Sequence, residues 1–371
     1  MSDFVVSARK YRPQTFDTVV GQKSITGTLK SAIKNGQLAQ AFLFCGSRGV
    51  GKTTTARILA KTINCTKRTG NTEACDDCES CLSFNSGASL NVYELDAASN
   101  NSVDDIRNLI EQVRIAPQLG DFKVYIIDEV HMLSPNAFNA FLKTLEEPPK
   151  HAIFILATTE KHRIIPTILS RCQIFDFSRI KVTDISDHLA DIAKKEKVKA
   201  ELEALHLIAL KADGALRDAL SVFDQMITFS GNELTYKHVV ENLHILDYDY
   251  FFKFVNHAEN EDIPSSLLLF NEILEQGFDA HHFLGGLSTH YRNLLVCKDE
   301  KSSVLLEVPE ATQKKYIEQS MLLPYHTITR ALYALSKADT SYKASKNQRL
   351  LVEVVLMELC SLKQEQEKKK P

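Results

Sequence analysis

The stretch Gly46-Ser47-Arg48-Gly49-Val50-Gly51-Lys52-Thr53 constrains this chain more than any other. It satisfies G-x-x-x-x-G-K-[ST] at every fixed position. Residues 41–45 stand before it, short and apolar like a buried parallel strand. Residues 54–63 follow, with Ile58, Leu59 and Thr62 on one helical face. In the order strand, glycine loop, helix, the glycines let backbone N–H groups turn onto a polyphosphate. The helix N-terminus adds partial positive charge there. Lys52 would then reach the β- and γ-phosphates, and the Thr53 hydroxyl would hold Mg²⁺. The plainer reading is a glycine turn that matches by chance, and both flanks speak against it.

A second anchor lies at 123–129, an apolar run that ends in Asp128 and Glu129. Open α/β sheets bind ligands at the carboxyl ends of their strands, where this pair would sit. Asp128 would hold Mg²⁺ through water, and Glu129 would orient and polarise an attacking water. Residues 90–95, 152–157 and 173–177 read as further strands. The strand at 152–157 runs into Thr158 and Thr159, whose hydroxyls would sit between the acidic pair and the phosphate loop. The segment 164–172 reads as a short helix that ends in Arg171. Helices are expected at 24–35, at 102–113 with Ser102 as cap, and at 136–146 with Ser134 as cap and Pro135 at its first position. Phe138, Leu142 and Leu145 would face the sheet. Five apolar strands alternating with helices predict a doubly wound parallel sheet.

Between the two anchors the spacing is Cys65, Cys75, Cys78, Cys81. Four thiolates so placed suit a tetrahedral structural Zn²⁺ with no open position for catalysis. Free thiols and an iron–sulfur cluster are the alternatives. The intervening residues are polar, so this insertion is expected to be held by metal rather than by a core. The chain carries eight cysteines in all, and Cys45, Cys172, Cys297 and Cys360 are expected to be small buried hydrophobes.

With 371 residues the chain is long enough for two or three domains. A formal net charge of −3 argues against a nucleic-acid binder that uses its whole surface, though not against a local basic stripe. No apolar run approaches a membrane span and no charged-then-apolar leader opens the sequence, so a cytoplasmic protein is expected, with no membrane partner. Near the start, Tyr11-Arg12-Pro13 is expected to be extended. It would lie across an adenine, with Tyr11 or Val20 against the base, or pack on the core as an N-terminal arm. Arg107 and Arg114 share a face of helix 102–113. They would meet nucleic-acid phosphates or simply be solvated.

From about residue 180 no further strands are expected. Helices at 183–195, 201–212 and 215–229 make a small lid. Gly214 breaks the chain there, and Arg217 in the next first turn would reach back to a phosphate or pair with Asp213 or Asp218. A helical third domain follows, with helices at 249–258, 264–275, 280–296, 310–320, 325–342 and 347–362. The last carries a broad apolar stripe that includes Leu350, Leu351, Val354, Val355 and Leu359, buried within the domain or against a neighbouring subunit. The expected domains are 1–179 with the cysteine insertion at 65–81, 180–242, 243–362, and a disordered tail at 363–371.

Taken together, the phosphate loop, Asp128-Glu129, Thr158-Thr159, Ser170-Arg171-Cys172 and Gly214-Ala215-Leu216-Arg217-Asp218 resemble a AAA+ ATPase. Residues 8–16 (Ala-Arg-Lys-Tyr-Arg-Pro-Gln-Thr-Phe), the four clustered cysteines, Ile127–Leu133 and Leu142–Pro149 are similar to the motor subunits of bacterial replicative clamp loaders, the tau/gamma subunits of DNA polymerase III. The resemblance spans about residues 4–230; beyond that it rests on position and helical character. It implies a ring in which ATP sits between subunits. Gly46 to Thr54, Arg9, Tyr11, Arg12, Val20, Asp128 and Glu129 would serve the nucleotide in cis. Arg217 would be a second sensor in cis, and Arg171 would be a finger supplied to the next subunit's ATP. Thr159 best matches the first sensor, with Thr158 as the other candidate. The third domain would form the oligomeric collar. Implied partners are other copies of the chain, the delta and delta-prime subunits, the beta sliding clamp and primed-template DNA, which Arg107 would face. The longer tau form carries helicase- and polymerase-binding domains, and this sequence stops at Pro371, as a short gamma-like form or a shortened chain would. A helicase loader, a branch-migration motor and a non-hydrolysing clamp-loader scaffold are the competing readings. The cysteine insertion and residues 8–16 speak against the first two, and the intact phosphate loop against the third.

Overall fold

The computed structural model describes residues 5–117, 120–243, 246–299, 301, 302, 305, 306, 308 and 310–363. Apart from Lys363, the expected tail lies outside the described residues. The chain divides into two compact units, 1–233 and 234–371. Among the described residues no helix is long and apolar enough to cross a membrane.

The first unit is built on five parallel strands: β1 (Ala41–Cys45), β2 (Val92–Asp96), β3 (Lys123–Asp128), β4 (Ala152–Thr158) and β5 (Gln173–Asp176), in the spatial order β2-β3-β4-β1-β5. Alternation along the strands explains the layers. Phe42, Phe44, Ile126 and Ile155 pack on one face against α1 (Lys23–Lys34) and α2 (Lys52–Ile63). Leu43, Tyr125, Ile127 and Leu156 pack on the other against α4 (Val103–Val113) and α5 (Pro135–Glu146). A short helix α3 (Glu79–Asn85) belongs to the cysteine insertion and was not expected. Both faces of the sheet are covered at its three inner strands, which is why β1, β3 and β4 read as apolar runs, whereas the edge strands β2 and β5 carry exposed polar residues. Each large side chain so buried stabilises the fold by about 1.5–3 kcal/mol. Leu43, fully buried at the centre, is a position where aspartate would abolish it.

Local sequence starts these helices. Ser102 and Asp105 form a reciprocal capping box on α4, and Ser134 accepts from the Ala137 N–H at 3.3 Å on α5, with Pro135 at its first position. Phe141 takes a central place under the sheet beside Phe138 and Leu145, and Leu142 is only partly buried. The sequence turns to helix after β5: α6 (Val182–Lys195), α7 (Leu202–Lys211) and α8 (Leu216–Ser230). Two-residue strands, Lys199–Ala200 and Glu233–Leu234, depart from the expected end of strand structure.

The second unit is helical: α9 (Tyr236–Asn242), α10 (Tyr248–Glu259), α11 (Ile263–Glu275), α12 (Ala280–Val296), α13 (Glu310–Leu322), α14 (Tyr325–Tyr342) and α15 (Gln348–Ser361). Helix α9, which was not expected as a helix and whose residues the sequence reading counted with the lid, falls on this side of the division. Asp247, Asp262, Asp279 and Asn347 cap α10, α11, α12 and α15 through their side chains. The core gathers Phe251, Phe254, Phe270 and Phe283. Gly286 is required where α12 passes Phe251, since an added Cβ would lie 2.3 Å from that ring. On α15, Val355 and Leu359 are buried, whereas Leu350 and Val354 remain about half exposed.

Candidate nucleotide site and cysteine cluster

The phosphate loop leaves β1, which lies between β4 and the edge strand β5, where the strand order reverses. Gly46 has φ 147°, and a Cβ there would stand 2.5 Å from the Phe177 carbonyl oxygen, so no other residue fits. Gly51, at φ 103°, turns the chain into α2. Lys52 is buried and donates to the Gly46 and Ser47 carbonyls at 2.8 Å each. Burial lowers the pKa of its ammonium, and the Glu129 and Asp128 carboxylates resist that.

The acidic pair comes to the same place from the end of β3. Thr53 Oγ1 donates to Asp128 Oδ2 at 2.7 Å, so the two candidate Mg²⁺ ligands already touch. Glu129 adopts a left-handed backbone at φ 46°, a conformation that side-chain-bearing residues hold at a cost and mostly at functional sites. Its Oε2 accepts from Thr159 Oγ1 at 2.9 Å and from the Thr159 N–H at 3.3 Å. Thr158, fully buried, takes a different partner: its Oγ1 lies 3.1 Å from His131 Nδ1. His131 also lies 3.4 Å from Glu129 Oε2 and 3.3 Å from Glu160 Oε1. Sequence reasoning missed His131, although it stands two residues after Glu129. Of the two threonines, only Thr159 meets Glu129 directly.

A cavity of about 800 Å³ opens beside this cluster. Arg9, Tyr11, Arg12, Val20, Arg48 to Thr54, Asp128, Glu129 and Arg217 all line it, as the sequence reading grouped them. Val19, Ile180, Leu216 and Leu220 supply an apolar wall that was not foreseen. The N-terminal arm is held over the cavity by the lid: the Ser7 N–H donates to Asp224 at 2.7 Å, and Lys10 and the Tyr11 hydroxyl reach Glu196. Burial lowers the Arg12 pKa, helped by the nearby Arg57 and Arg217 cations and opposed by Glu94. Arg217 makes no pair with Asp213, which Arg179 takes.

Other candidates stand outside the cavity. Arg171 is exposed and pairs with Glu146 at 2.7 Å. Arg107 is exposed on α4 and pairs with Asp104 at 3.3 Å.

The four sulfurs of Cys65, Cys75, Cys78 and Cys81 lie within 4.8 Å of one another, with Cys65 to Cys75 at 3.5 Å and Cys65 to Cys78 at 3.9 Å. Tetrahedral Zn²⁺ with bonds of about 2.3 Å sets its sulfurs about 3.8 Å apart, so this donor set fits such an ion. Cys45, Cys297 and Cys360 are buried elsewhere, and Cys172 is partly so.

The parallel sheet, phosphate loop, acidic pair and helical lid define a AAA+-type P-loop fold, a class of nucleotide-binding proteins. The family models that match this chain are "DNA polymerase III, delta subunit" over residues 21–181, "DNA polymerase III clamp loader subunit, ATPase lid domain" over 184–232, and "DNA polymerase III subunits gamma and tau domain III" over 234–371. The chain is 40% identical to DNA polymerase III subunit tau of Bacillus subtilis over 352 residues, which is 95% of this chain and 62% of that one. It is 40% identical to DNA polymerase III subunit gamma of Buchnera aphidicola from Baizongia pistaciae, over 76% of each chain. To the Escherichia coli tau subunit it is 43% identical over 74% of this chain and 43% of the other. The chain belongs to the gamma/tau subunit family of bacterial DNA polymerase III. It spans less than two thirds of the Bacillus relative.

Proposed function

We propose that this chain is an ATP-driven motor of a replicative clamp loader, working in the cytoplasm. The observation that carries the proposal is the convergence of an intact phosphate loop, Thr53–Asp128 and Glu129 on one cavity lined by the arm and the lid. Lys52 and the loop N–H groups hold the β- and γ-phosphates. Thr53 and Asp128 hold Mg²⁺, and Glu129 polarises the attacking water. Thr159, donating to Glu129, is the first sensor. Arg217 comes from the first turn of α8 as the second sensor. Tyr11, Arg12 and Val20, with Ile180 and Leu216, take the adenosine side. Arg171, exposed and outside its own cavity, is suited to serve the ATP of a neighbouring copy. The four cysteines hold structural Zn²⁺.

In this reading the helical unit from residue 234 onward is the oligomerisation collar and 180–233 the lid. The partners are further copies of the chain, delta, delta-prime, the beta sliding clamp and primed-template DNA, with Arg107 on the DNA side. ATP binding opens the clamp on DNA, and hydrolysis releases it. The test is steady-state ATP turnover with delta, delta-prime and clamp, with and without primed DNA, beside Arg171→Ala. Strong stimulation by clamp plus DNA, lost in the variant while ATP still binds, is expected. Equal turnover in every mixture would overturn the reading.

A further inference from the structure

The cysteine insertion makes polar contacts on both sides of Cys75. Glu73, two residues before Cys75, is a buried carboxylate bonded to the N-terminal arm. Its Oε2 accepts from the Phe16 N–H at 3.0 Å and its Oε1 from the Asp17 N–H at 3.1 Å. Lys30 of α1 balances the charge at 2.8 Å, so the buried anion is paired. On the other side of Cys75, Asp76 accepts from Lys61 of α2 at 2.7 Å, with the lysine side chain almost wholly buried. The insertion therefore grips both the arm and the phosphate-loop helix through residues that flank one thiolate ligand.

The grip on the arm falls at a telling place. Phe16–Thr18 is one turn of 3-10 helix. The residues before it, Tyr11, Arg12 and Pro13, and those after it, Val19 and Val20, line the large cavity. Arg12 and Pro13 also line a second cavity of about 320 Å³, whose other walls include Arg57, Lys61, Phe84 and Asn85. The arm at Arg12 and Pro13 thus has open space on two sides. Its pose depends on where it is tied rather than on close packing.

We propose that Glu73 is a positioning residue for the adenosine end of the nucleotide, through which the cysteine insertion sets the pose of Tyr11–Pro13 and Val19–Val20. This rests on the nucleotide reading of the large cavity. It separates two halves of one site. The phosphate loop, built on β1 and α2, does not need Glu73, whereas the arm does.

The test compares two ligands on the full chain, ATP and inorganic tripolyphosphate, with bound zinc measured in each sample. Glu73→Ala is expected to weaken ATP about tenfold and tripolyphosphate less than about twofold, with zinc retained. Glu73→Gln, which keeps one acceptor oxygen, is expected to fall between parent and alanine, and it decides the matter if the alanine variant does not fold. Removing zinc from the parent is expected to reproduce the same split. Unchanged ATP affinity in a zinc-loaded Glu73 variant overturns the proposal. So does an equal loss of both ligands, which would make Glu73 a general stability residue. A parent chain that binds neither ligand instead fells the nucleotide reading itself.

Discussion

The two units of this chain reach order by different routes. In the first, the working residues come from the arm, β1, β3, β4 and the lid, far apart in sequence and close only because a parallel sheet gathers them at the carboxyl ends of its strands. In the second, local sequence carries more of the load: four helices start at their own Asp or Asn caps and then close on an aromatic core. The polar groups differ in the same way. The first unit leaves Lys52, Asp128, Glu129 and Arg217 on an open cavity. The second buries His290 inside a closed circuit: Tyr316 OH donates to Nδ1 at 2.9 Å, Nε2–H donates to Gln319 Oε1 at 2.9 Å, and the Gln319 amide donates to the Phe252 carbonyl at 3.0 Å and to Asn256 at 2.9 Å. Polar groups with every bond satisfied specify a core, whereas groups left facing a cavity are available to a ligand.

The contrast predicts effects that separate by unit. The largest is Lys52→Ala, which should lower ATP turnover by about 10²–10³-fold or more while unfolding of the second unit is unchanged. Turnover that survives the substitution would remove the phosphate loop from the chemistry. Next is Phe283→Ala. That ring is fully buried and stacks on Phe251 at 5.8 Å, so the second unit should lose about 3–5 kcal/mol in denaturant unfolding. Nucleotide affinity should stay within about twofold; a parallel loss of affinity would break the comparison.

Acid should act on the second unit. Burial pulls the His290 pKa down to about 4 from 6.5, so the folded form keeps the ring neutral. Its contribution is complete above pH 6.5 and drains as pH falls from there toward 4, by about 3 kcal/mol in all. Denaturation midpoints measured between pH 7 and 4 should show this loss, and a flat profile would refute it. The smallest effect is Arg107→Ala. Its exposed pair with Asp104 is worth less than about 0.5 kcal/mol of stability. The salt dependence of DNA affinity should nevertheless lose about one unit of slope if Arg107 meets a phosphate; an unchanged slope would take it off the DNA surface.

Much of this was legible in the residues. Strand β1 has the bounds that the apolar run suggested, and the helices of the second unit other than α9, where no helix was expected, start and stop within two residues of expectation. Cap chemistry and period act over a few residues, so one sequence carries them in full. The apolar wall of Ile180, Leu216 and Leu220 was not legible, because each looks like an ordinary core residue until the lid folds back. The placement of α9 was not legible either, since Thr235 caps it regardless of which core receives it.

The sequence by itself determined the phosphate loop, the acidic pair, the cysteine spacing and the alternation of strand and helix, because each is a local pattern with a local physical meaning. Only the tertiary structure decided that Thr159 rather than Thr158 meets Glu129, that His131 stands beside them, and that Glu73 ties the cysteine insertion to the arm. Those are contacts between segments brought together by burial of the sheet's two faces. A hydrogen bond between distant segments leaves no period or motif in the chain that makes it.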